Sequence, residues 1–240
     1  MIAALPMYDR PELAATTDRL WSGIRDALRS QGLPAPDALS RDGDLWAIWQ
    51  MPDLVVAQTC GLPYRARLHD RVTLVGAPRH NLPDCPPGAY YSVIIARPGP
   101  VQPEPRLAVN DALSQSGWAN LLDWLDGAPY EATTITGAHR ASARAVHDGL
   151  ADVAAIDAVS WAMMQQFDPW TAGLEVLGRT APVPALPYIT ASGGDAVAVC
   201  KAIGTAIDAL DGGERRALHL HGIEPVTPQD YTALPVPPAP

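Results

Sequence analysis

The sequence predicts an α/β protein of two lobes, each built on a doubly wound, mostly parallel sheet. At least five apolar runs end in polar residues and continue into helical patterns, which is the alternation of βα units. Two proline-rich segments, 97–105 and 182–187, bound three of these units and interrupt regular structure. The chain has 240 residues, 48% hydrophobic and 18% charged, enough for a sizeable core. We therefore expect two crossovers around an inserted second lobe.

The first lobe is predicted to begin with a strand at residues 2–5, followed by a long helix. Asp9 and Glu12 have the D-x-x-E spacing of a capping box. Apolar residues recur on one face of this helix: Leu13, Leu20, Ile24 and Leu28. Two further strands are expected at residues 54–57 and 73–75. These elements form the core of the first lobe.

The second lobe follows a β-rich run at residues 89–96, which leads into the first crossover. After the second crossover, a helix over residues 195–210 is expected to pack back on the first lobe. The predicted bounds are residues 1–93 and 186–234 for the first lobe, 94–185 for the inserted lobe and 235–240 for a disordered, proline-rich tail.

The polar ends of the five βα units are the candidate ligand-binding positions. They are Met7–Asp9, Gln58–Gly61, Ser114–Gly117, Gly137–Arg140 and Asp157. In a doubly wound sheet the ligand crevice lies beyond the carboxyl ends of the strands. The five junctions are therefore expected to face one edge, with Tyr8 and Thr59 contributed by the first two.

The segment Ser114–Gly117 is the strongest candidate, because two serines and a glycine precede an amphipathic helix. Its large apolar residues follow at i, i+3, i+4 and i+7: Trp118, Leu121, Leu122 and Leu125. The free N–H groups at a helix start, its positive dipole end and the serine hydroxyls favour an oxyanion. The alternative is that Ser114 only caps the helix.

Charge and composition exclude several other classes. A net charge of −9 and a pI near 5.0 argue against nucleic acid or an anionic membrane as partner, so local groups must hold any anion. No apolar run is long enough to insert into a bilayer. The N-terminus lacks an export signal, so we expect a cytoplasmic protein as written, or a periplasmic one if a signal was removed. Neither a nucleotide motif nor a cysteine framework is present, and no cofactor or metal is expected.

In order and spacing, several motifs resemble the phosphate- and phosphonate-binding components of ABC transporters, from Ile2 to about Thr232. They are Met7-Tyr8, Gln58-Thr-Cys-Gly61-Leu-Pro63, Tyr90-Tyr91-Ser92-Val93, Ser114–Gly117, Gly137-Ala-His139 and Ala151–Asp157. The resemblance implies the type II periplasmic-binding-protein fold, in which two lobes close like a flytrap on a small oxyanion in the inter-lobe cleft. It also implies a membrane permease, or another protein, as partner.

The resemblance further implies a role for individual residues. Hydroxyls and amides of the turn would hold the oxyanion: Ser114, Gln115, Ser116 and Gly117. Tyr91 and His139 would complete this shell, and Asp157 would meet the amino end of an aminoalkylphosphonate. If His139 acts as an imidazolium, anion affinity should fall as pH rises. The chain departs from the family pattern at residues 179–187, which contain no carboxylate.

The residues alone leave other interpretations open. Asp157 has the position of a plain helix N-cap, and His139 that of a surface residue near a helix start. Cys60 precedes a helix and could act as a nucleophile with His139, which would make the chain an enzyme on the same scaffold. A ligand sensor is a further alternative. His219 and His221 share a face if extended but lack a third metal ligand.

Overall fold

The computed structural model describes residues 1–240, which divide into two compact units. Unit 1 comprises Met1–Ala89 and Pro184–Pro235, and unit 2 comprises Tyr90–Val183 and Val236–Pro240. Unit 2 is therefore inserted into unit 1 along the chain. The chain returns to unit 1 at Pro184, and its last five residues, Val236–Pro240, belong to unit 2 again.

The strands are β1 (Ile2–Ala4), β2 (Leu54–Gln58), β3 (Val72–Arg79), β4 (Ala89–Tyr90), β5 (Ser92–Ala96), β6 (Arg106–Val109), β7 (Ala132–Ile135), β8 (Val153–Asp157), β9 (Glu175–Arg179), β10 (Val183–Pro184), β11 (Tyr188–Ala191) and β12 (Gly222–Glu224). The α-helices are α1 (Ala14–Ser30), α2 (Leu45–Trp49), α3 (Gly61–Pro63), α4 (Asn120–Leu125), α5 (His139–His147), α6 (Ala158–Phe167), α7 (Ala196–Ala209), α8 (Gly212–Ala217) and α9 (Pro228–Thr232). Two π-helical segments, Tyr64–Leu68 and Gln115–Ala119, and two 3-10 turns, Pro11–Leu13 and Pro169–Gly173, complete the set. None of these helices has the length and apolar character needed to cross a membrane.

The sheet of unit 1 has the order β1-β2-β11-β3-β12. β1 and β2 are parallel, whereas β11 runs antiparallel to both β2 and β3, and β12 antiparallel to β3. The sheet is thus mixed rather than mostly parallel, because the strand that returns from the second crossover inserts between β2 and β3 in the opposite direction. β1, β2 and β3 run the same way, so their carboxyl ends share one edge.

The predicted apolar face of the first helix is confirmed, since Leu20, Ile24 and Leu28 of α1 are buried. α1 packs on α7 at short range: a Cβ at Gly23 would lie 3.0 Å from the Cβ of Ala206. The predicted capping box is wrong. Glu12 accepts from the Arg10 guanidinium instead, while the Asp9 carboxylate binds Arg41. A guanidinium remote in sequence takes the Asp9 carboxylate, and a neighbouring guanidinium takes Glu12, so neither carboxylate forms the local cap.

The sheet of unit 2 has the order β7-β6-β8-β5-β9. β6 is parallel to β7 and β8, and β5 is antiparallel to β8 and β9, so this sheet is mixed as well. The three predicted strand–helix units are confirmed, and the carboxyl ends of β6, β7 and β8 share one edge. β5 begins at that edge, because Ser92 pairs with Asp157 in the register. Polar residues from four strands therefore meet there.

The C-terminal tail differs from the sequence expectation of disorder. In unit 1 the Arg65 guanidinium donates to the carbonyl oxygen of Pro235, at 2.8 Å from Nη2. In unit 2 the indole Nε1–H of the buried Trp118 donates to the carbonyl oxygen of Pro238, at 2.8 Å. A proline-rich segment keeps its carbonyl acceptors, and two donors use them to give the tail a defined position.

Candidate anion-binding site

The turn after β6 begins with Ser114, which caps the following helix, the role that the sequence leaves open beside ligand binding. Its Oγ accepts a hydrogen bond of 2.9 Å from the backbone N–H of Gly117. The helix starts as the π-helical segment Gln115–Ala119 and continues as α4, with Ser114 and Ser116 each 3% exposed. Because the Ser114 oxygen acts as the acceptor in this bond, its hydroxyl hydrogen is left for another partner.

Ser116 and His139 form the central contact of the site. His139 begins α5 as predicted, and its Nε2 lies 2.7 Å from the Ser116 Oγ. The Nδ1 atom is buried and has no hydrogen-bond partner. A buried N–H without an acceptor is costly, so we assign the imidazole proton to Nε2, which then donates to Ser116. The Ser116 hydroxyl hydrogen is then not used by His139, and the Ser116 and Ser114 hydroxyls form a long hydrogen bond of 3.4 Å with each other.

Burial determines the charge of His139. It lowers the pKa of the imidazole to about 4, because removal of water penalises the charged form. The free protein therefore holds a neutral histidine near pH 7, and the imidazolium considered from the sequence is not present there. A neutral imidazole still orients Ser116 and still donates through Nε2–H.

Three buried polar side chains support the turn through a chain of hydrogen bonds. The Ser92 hydroxyl donates to the Ser116 carbonyl at 2.9 Å, and the Asn120 amide donates to the Ser92 Oγ at 2.9 Å. The Gln115 amide donates in turn to the Asn120 oxygen at 2.6 Å. The Gln115 side chain thus points to the interior of the turn. Ser92 and Asn120 support the candidate site, and sequence reasoning missed both. A serine within an otherwise apolar strand was the available signal for Ser92.

The Asn110 side chain approaches the backbone at Gly117 so closely that only glycine fits there. A Cβ at this position would overlap the Asn110 Oδ1 and lie 3.0 Å from its Cγ. The Asn110 Oδ1 is itself buried without a hydrogen-bond partner. The side chain that follows β6 therefore packs directly over the glycine, and any larger residue must displace it.

Replacement of Gly117 by alanine is expected to lower the free energy of unfolding by about 1–3 kcal/mol, as overpacking does. This outweighs the ~1 kcal/mol by which alanine exceeds glycine in helix propensity. Urea unfolding of Gly117→Ala measures the loss. The double variant Asn110→Ala/Gly117→Ala should be nearly as stable as Asn110→Ala alone. A Gly117→Ala protein as stable as wild type would contradict the close approach.

Asp157 and Tyr91 lie on strands or strand junctions of the same unit. Asp157 is 1% exposed and caps α6, its carboxylate accepting from the Ser160 N–H at 2.9 Å. The guanidinium of Arg179 lies 5.3 Å from the centroid of the Tyr91 ring. The capping role of Asp157 is therefore established, and its role towards a ligand stays a prediction, as does that of Tyr91.

Tyr8 and Thr59 belong to unit 1, beyond the carboxyl ends of β1 and β2. The Tyr8 ring meets the His80 ring edge to face, with centroids 5.3 Å apart. Thr59 is fully buried, and its hydroxyl has no hydrogen-bond partner. His80, which sequence reasoning missed, follows β3 at this same edge. Ligand contact by Tyr8 and Thr59 remains a prediction.

The alternative chemistries gain no support from the arrangement. The His139 imidazole is paired with the Ser116 Oγ, and no observed contact makes Cys60 a nucleophile. His219 and His221 belong to no group of three or more histidine, cysteine or acidic residues able to hold a metal ion.

Two α/β units on mixed five-stranded sheets, one inserted into the other along the chain, define the type II periplasmic-binding-protein fold, a class of solute-binding proteins. The sequence model of one family, described as the periplasmic substrate-binding protein of phosphonate ABC transporters, matches residues 60–231. The chain belongs to this family, and it is a solute-binding protein. No curated protein matches it by sequence.

Solved structures with this fold include PhnD1 from Prochlorococcus marinus in complex with methylphosphonate, with a TM-score of 0.69 at 15% identity over 97% of this chain and 94% of that one. A binding-protein component of a phosphonate ABC transporter from Pseudomonas aeruginosa gives 0.62 at 13% identity, over 96% and 82%. A Xanthomonas citri protein bound to ATP gives 0.66 at 15% identity, over 95% and 92%. At these identities the likeness shows the fold alone.

Proposed function

We propose that the chain binds a phosphonate, or a closely related oxyanion such as phosphate, at the turn Ser114–Gly117. The observation that carries this proposal is the pair of hydroxyl hydrogens on Ser114 and Ser116. Each oxygen already accepts a bond, from Gly117 N–H and from His139 respectively, and a long hydrogen bond of 3.4 Å joins the two hydroxyls to each other. An oxyanion at the positive end of the helix would replace this long, neutral bond and accept from both hydroxyls.

In this role the ligand is bound and released unchanged. The proposal includes a periplasmic location and delivery to a membrane permease, and membership of the family supports both. Family membership supports the transport role, and the polar residues at the strand ends of unit 2 support the binding of an anion. The enzyme alternative predicts a ligand of altered mass after incubation. Mass spectrometry of methylphosphonate recovered from the protein distinguishes the two.

Titration of His139 is not expected to control affinity near neutral pH. The pKa of about 4 keeps the imidazole neutral above about pH 5, so its contribution is constant from pH 6 to 8. Calorimetric titration with methylphosphonate should therefore give parallel pH profiles for wild type and His139→Gln, in which the ionisation of the ligand cancels. A wild-type affinity that falls with pH relative to the variant would show an imidazolium instead.

Two substitutions at His139, to glutamine and to phenylalanine, should lower the affinity for methylphosphonate by different factors. His139→Gln keeps a donor near the position of Nε2, whereas His139→Phe removes it and leaves Ser116 without a partner. We expect about a tenfold weaker affinity for the phenylalanine variant, since one hydrogen bond is lost. The glutamine variant should stay within about threefold of wild type. Equal affinities of wild type and His139→Phe would exclude a role in binding.

A further inference from the structure

The side-chain oxygen of Asn110 faces the anion-binding turn and has no hydrogen-bond partner. Asn110 directly follows β6, and its Oδ1 is buried and accepts no hydrogen bond. A Cβ at Gly117 would overlap this oxygen and would lie 3.2 Å from the Ser114 Oγ. The two oxygens therefore border the same space beside Gly117. All three residues belong to unit 2.

An amide oxygen can only accept a hydrogen bond, and leaving it buried without a donor is costly. The donors of the turn have other partners. The Gly117 N–H donates to the Ser114 Oγ at 2.9 Å. The Gln115 amide donates to the Asn120 oxygen at 2.6 Å. The Asn110 oxygen is thus an acceptor that a hydroxyl group of a ligand can satisfy.

The three oxygens of a phosphonate match this set of protein groups when one of them carries a proton. In the monoanion, two oxygens only accept, and the third belongs to a P–OH group that also donates. The Ser114 and Ser116 hydroxyls can donate to the first two, and the P–OH group can donate to Asn110. A sulfonate has the same tetrahedral shape and the same charge, but its oxygens carry no hydrogen. A buried acceptor in the site therefore distinguishes the two anions.

We propose that Asn110 makes the site selective for a protonated oxyanion, the monoanion of a phosphonate or of phosphate, over sulfonates and sulfate. The P–OH group donates to the Asn110 Oδ1, while the other two oxygens accept from the Ser114 and Ser116 hydroxyls. This proposal rests on the proposed function, because it concerns selectivity at the same turn. Asn110 is then a residue that contacts the ligand and reads its protonation state.

Calorimetric titration of the full chain with methylphosphonate and methanesulfonate tests the proposal. At a pH below the second ionisation of methylphosphonate both probes are monoanions, and methylphosphonate should bind at least about tenfold more tightly. Its affinity should fall as the pH rises above that ionisation, towards a limit of about tenfold per pH unit, because the dianion has no P–OH group. The affinity for methanesulfonate should stay constant over the same range.

The titratable and charged groups around the turn do not produce this pattern. His139 is neutral throughout the range, because burial lowers its pKa to about 4. The other charged groups are the carboxylates of Asp111 and Asp157 and the ion pair between Arg140 and Asp168, with 2.7 Å between nitrogen and oxygen. They act on both probes, so their effect cancels in the ratio of the two affinities.

Three variants locate the selectivity at Asn110. Asn110→Leu keeps a side chain of similar size over Gly117 but removes the acceptor. The ratio of the two affinities should fall by at least about fivefold, and the pH dependence for methylphosphonate should flatten. Asn110→Ala gives the same comparison if the leucine variant does not fold. Asn110→Asp retains an acceptor, so its ratio should be at least as large as that of wild type. Intrinsic differences between the two probes cancel in this cycle.

The outcomes separate this proposal from the proposed function. If the wild-type protein binds neither probe, the proposed function fails and this proposal fails with it. Methanesulfonate that binds wild type at least as tightly as methylphosphonate, or a methylphosphonate affinity that rises with pH, overturns this proposal alone. So does a ratio that stays unchanged in Asn110→Leu or Asn110→Ala, or one that falls equally in Asn110→Asp. Binding of methylphosphonate in any of these cases leaves the anion site at the turn intact.

Discussion

The double variant Ser114→Ala/Ser116→Ala is expected to bind methylphosphonate at least about a hundredfold more weakly than wild type. Hydrogen bonds to charged groups contribute about 1.5–3 kcal/mol each, and two lost bonds therefore exceed the 2.8 kcal/mol of a hundredfold change, about 1.4 kcal/mol per factor of ten. Calorimetric titration measures the affinity.

The control for this experiment must separate binding from stability. Ser114 also caps the helix, so its loss should lower the free energy of unfolding by about 1 kcal/mol. Circular dichroism and urea unfolding show whether the variant keeps its fold. Ser30→Ala, which removes an exposed hydroxyl at the end of α1, is the matched variant and should bind normally. A folded double variant with unchanged affinity would exclude the turn as the anion site.

Acid should destabilise the protein through His80 before most carboxylates titrate. The folded-state pKa is about 4 and the ordinary value is about 6.5, so between these values the unfolded chain binds more protons. Stability that is present above pH 6.5 is therefore lost as pH falls towards 4. The difference between these two pKa values predicts a loss of roughly 2 kcal/mol between pH 7 and 4.5 from this residue.

Urea unfolding at pH 7 and pH 4.5 measures this loss, and His80→Asn provides the comparison because asparagine does not titrate. The difference in stability between the two pH values should be smaller in the variant by about the same 2 kcal/mol. Carboxylates contribute equally to both proteins and cancel. The same pH dependence in both proteins would show that His80 is not held neutral by burial.

Local sequence signals predicted the parts of the fold that depend on neighbouring residues. The buried face of α1 rests on a spacing of three or four residues. The caps at Ser114 and Asp157 were alternatives that rest on a position directly before a helix, and the structure has all three features. The strand directions could not be predicted, because β5 and β11 enter their sheets from a crossover and run against their neighbours. The capping box at Asp9 failed for a related reason, since its competitor Arg41 is remote in sequence.

The same distinction applies to the candidate site. Ser114, Ser116 and His139 were predicted because each follows an apolar strand, and the structure brings them together. Ser92 and Asn120 were missed because they reach the turn through side-chain contacts that no local pattern encodes. The charge of His139 also depends on burial, which only the packed structure gives. The sequence therefore predicted the position of the turn. The side chains that support the turn and the charge of His139 could be found only in the folded structure.

A crystal structure of the protein with methylphosphonate tests the central claim most directly. We expect phosphonate oxygens within hydrogen-bond distance of the Ser114 Oγ and the Ser116 Oγ, with His139 Nε2 still in contact with Ser116. Phosphonate bound away from the turn Ser114–Gly117, with both hydroxyls making no contact to it, would contradict the account.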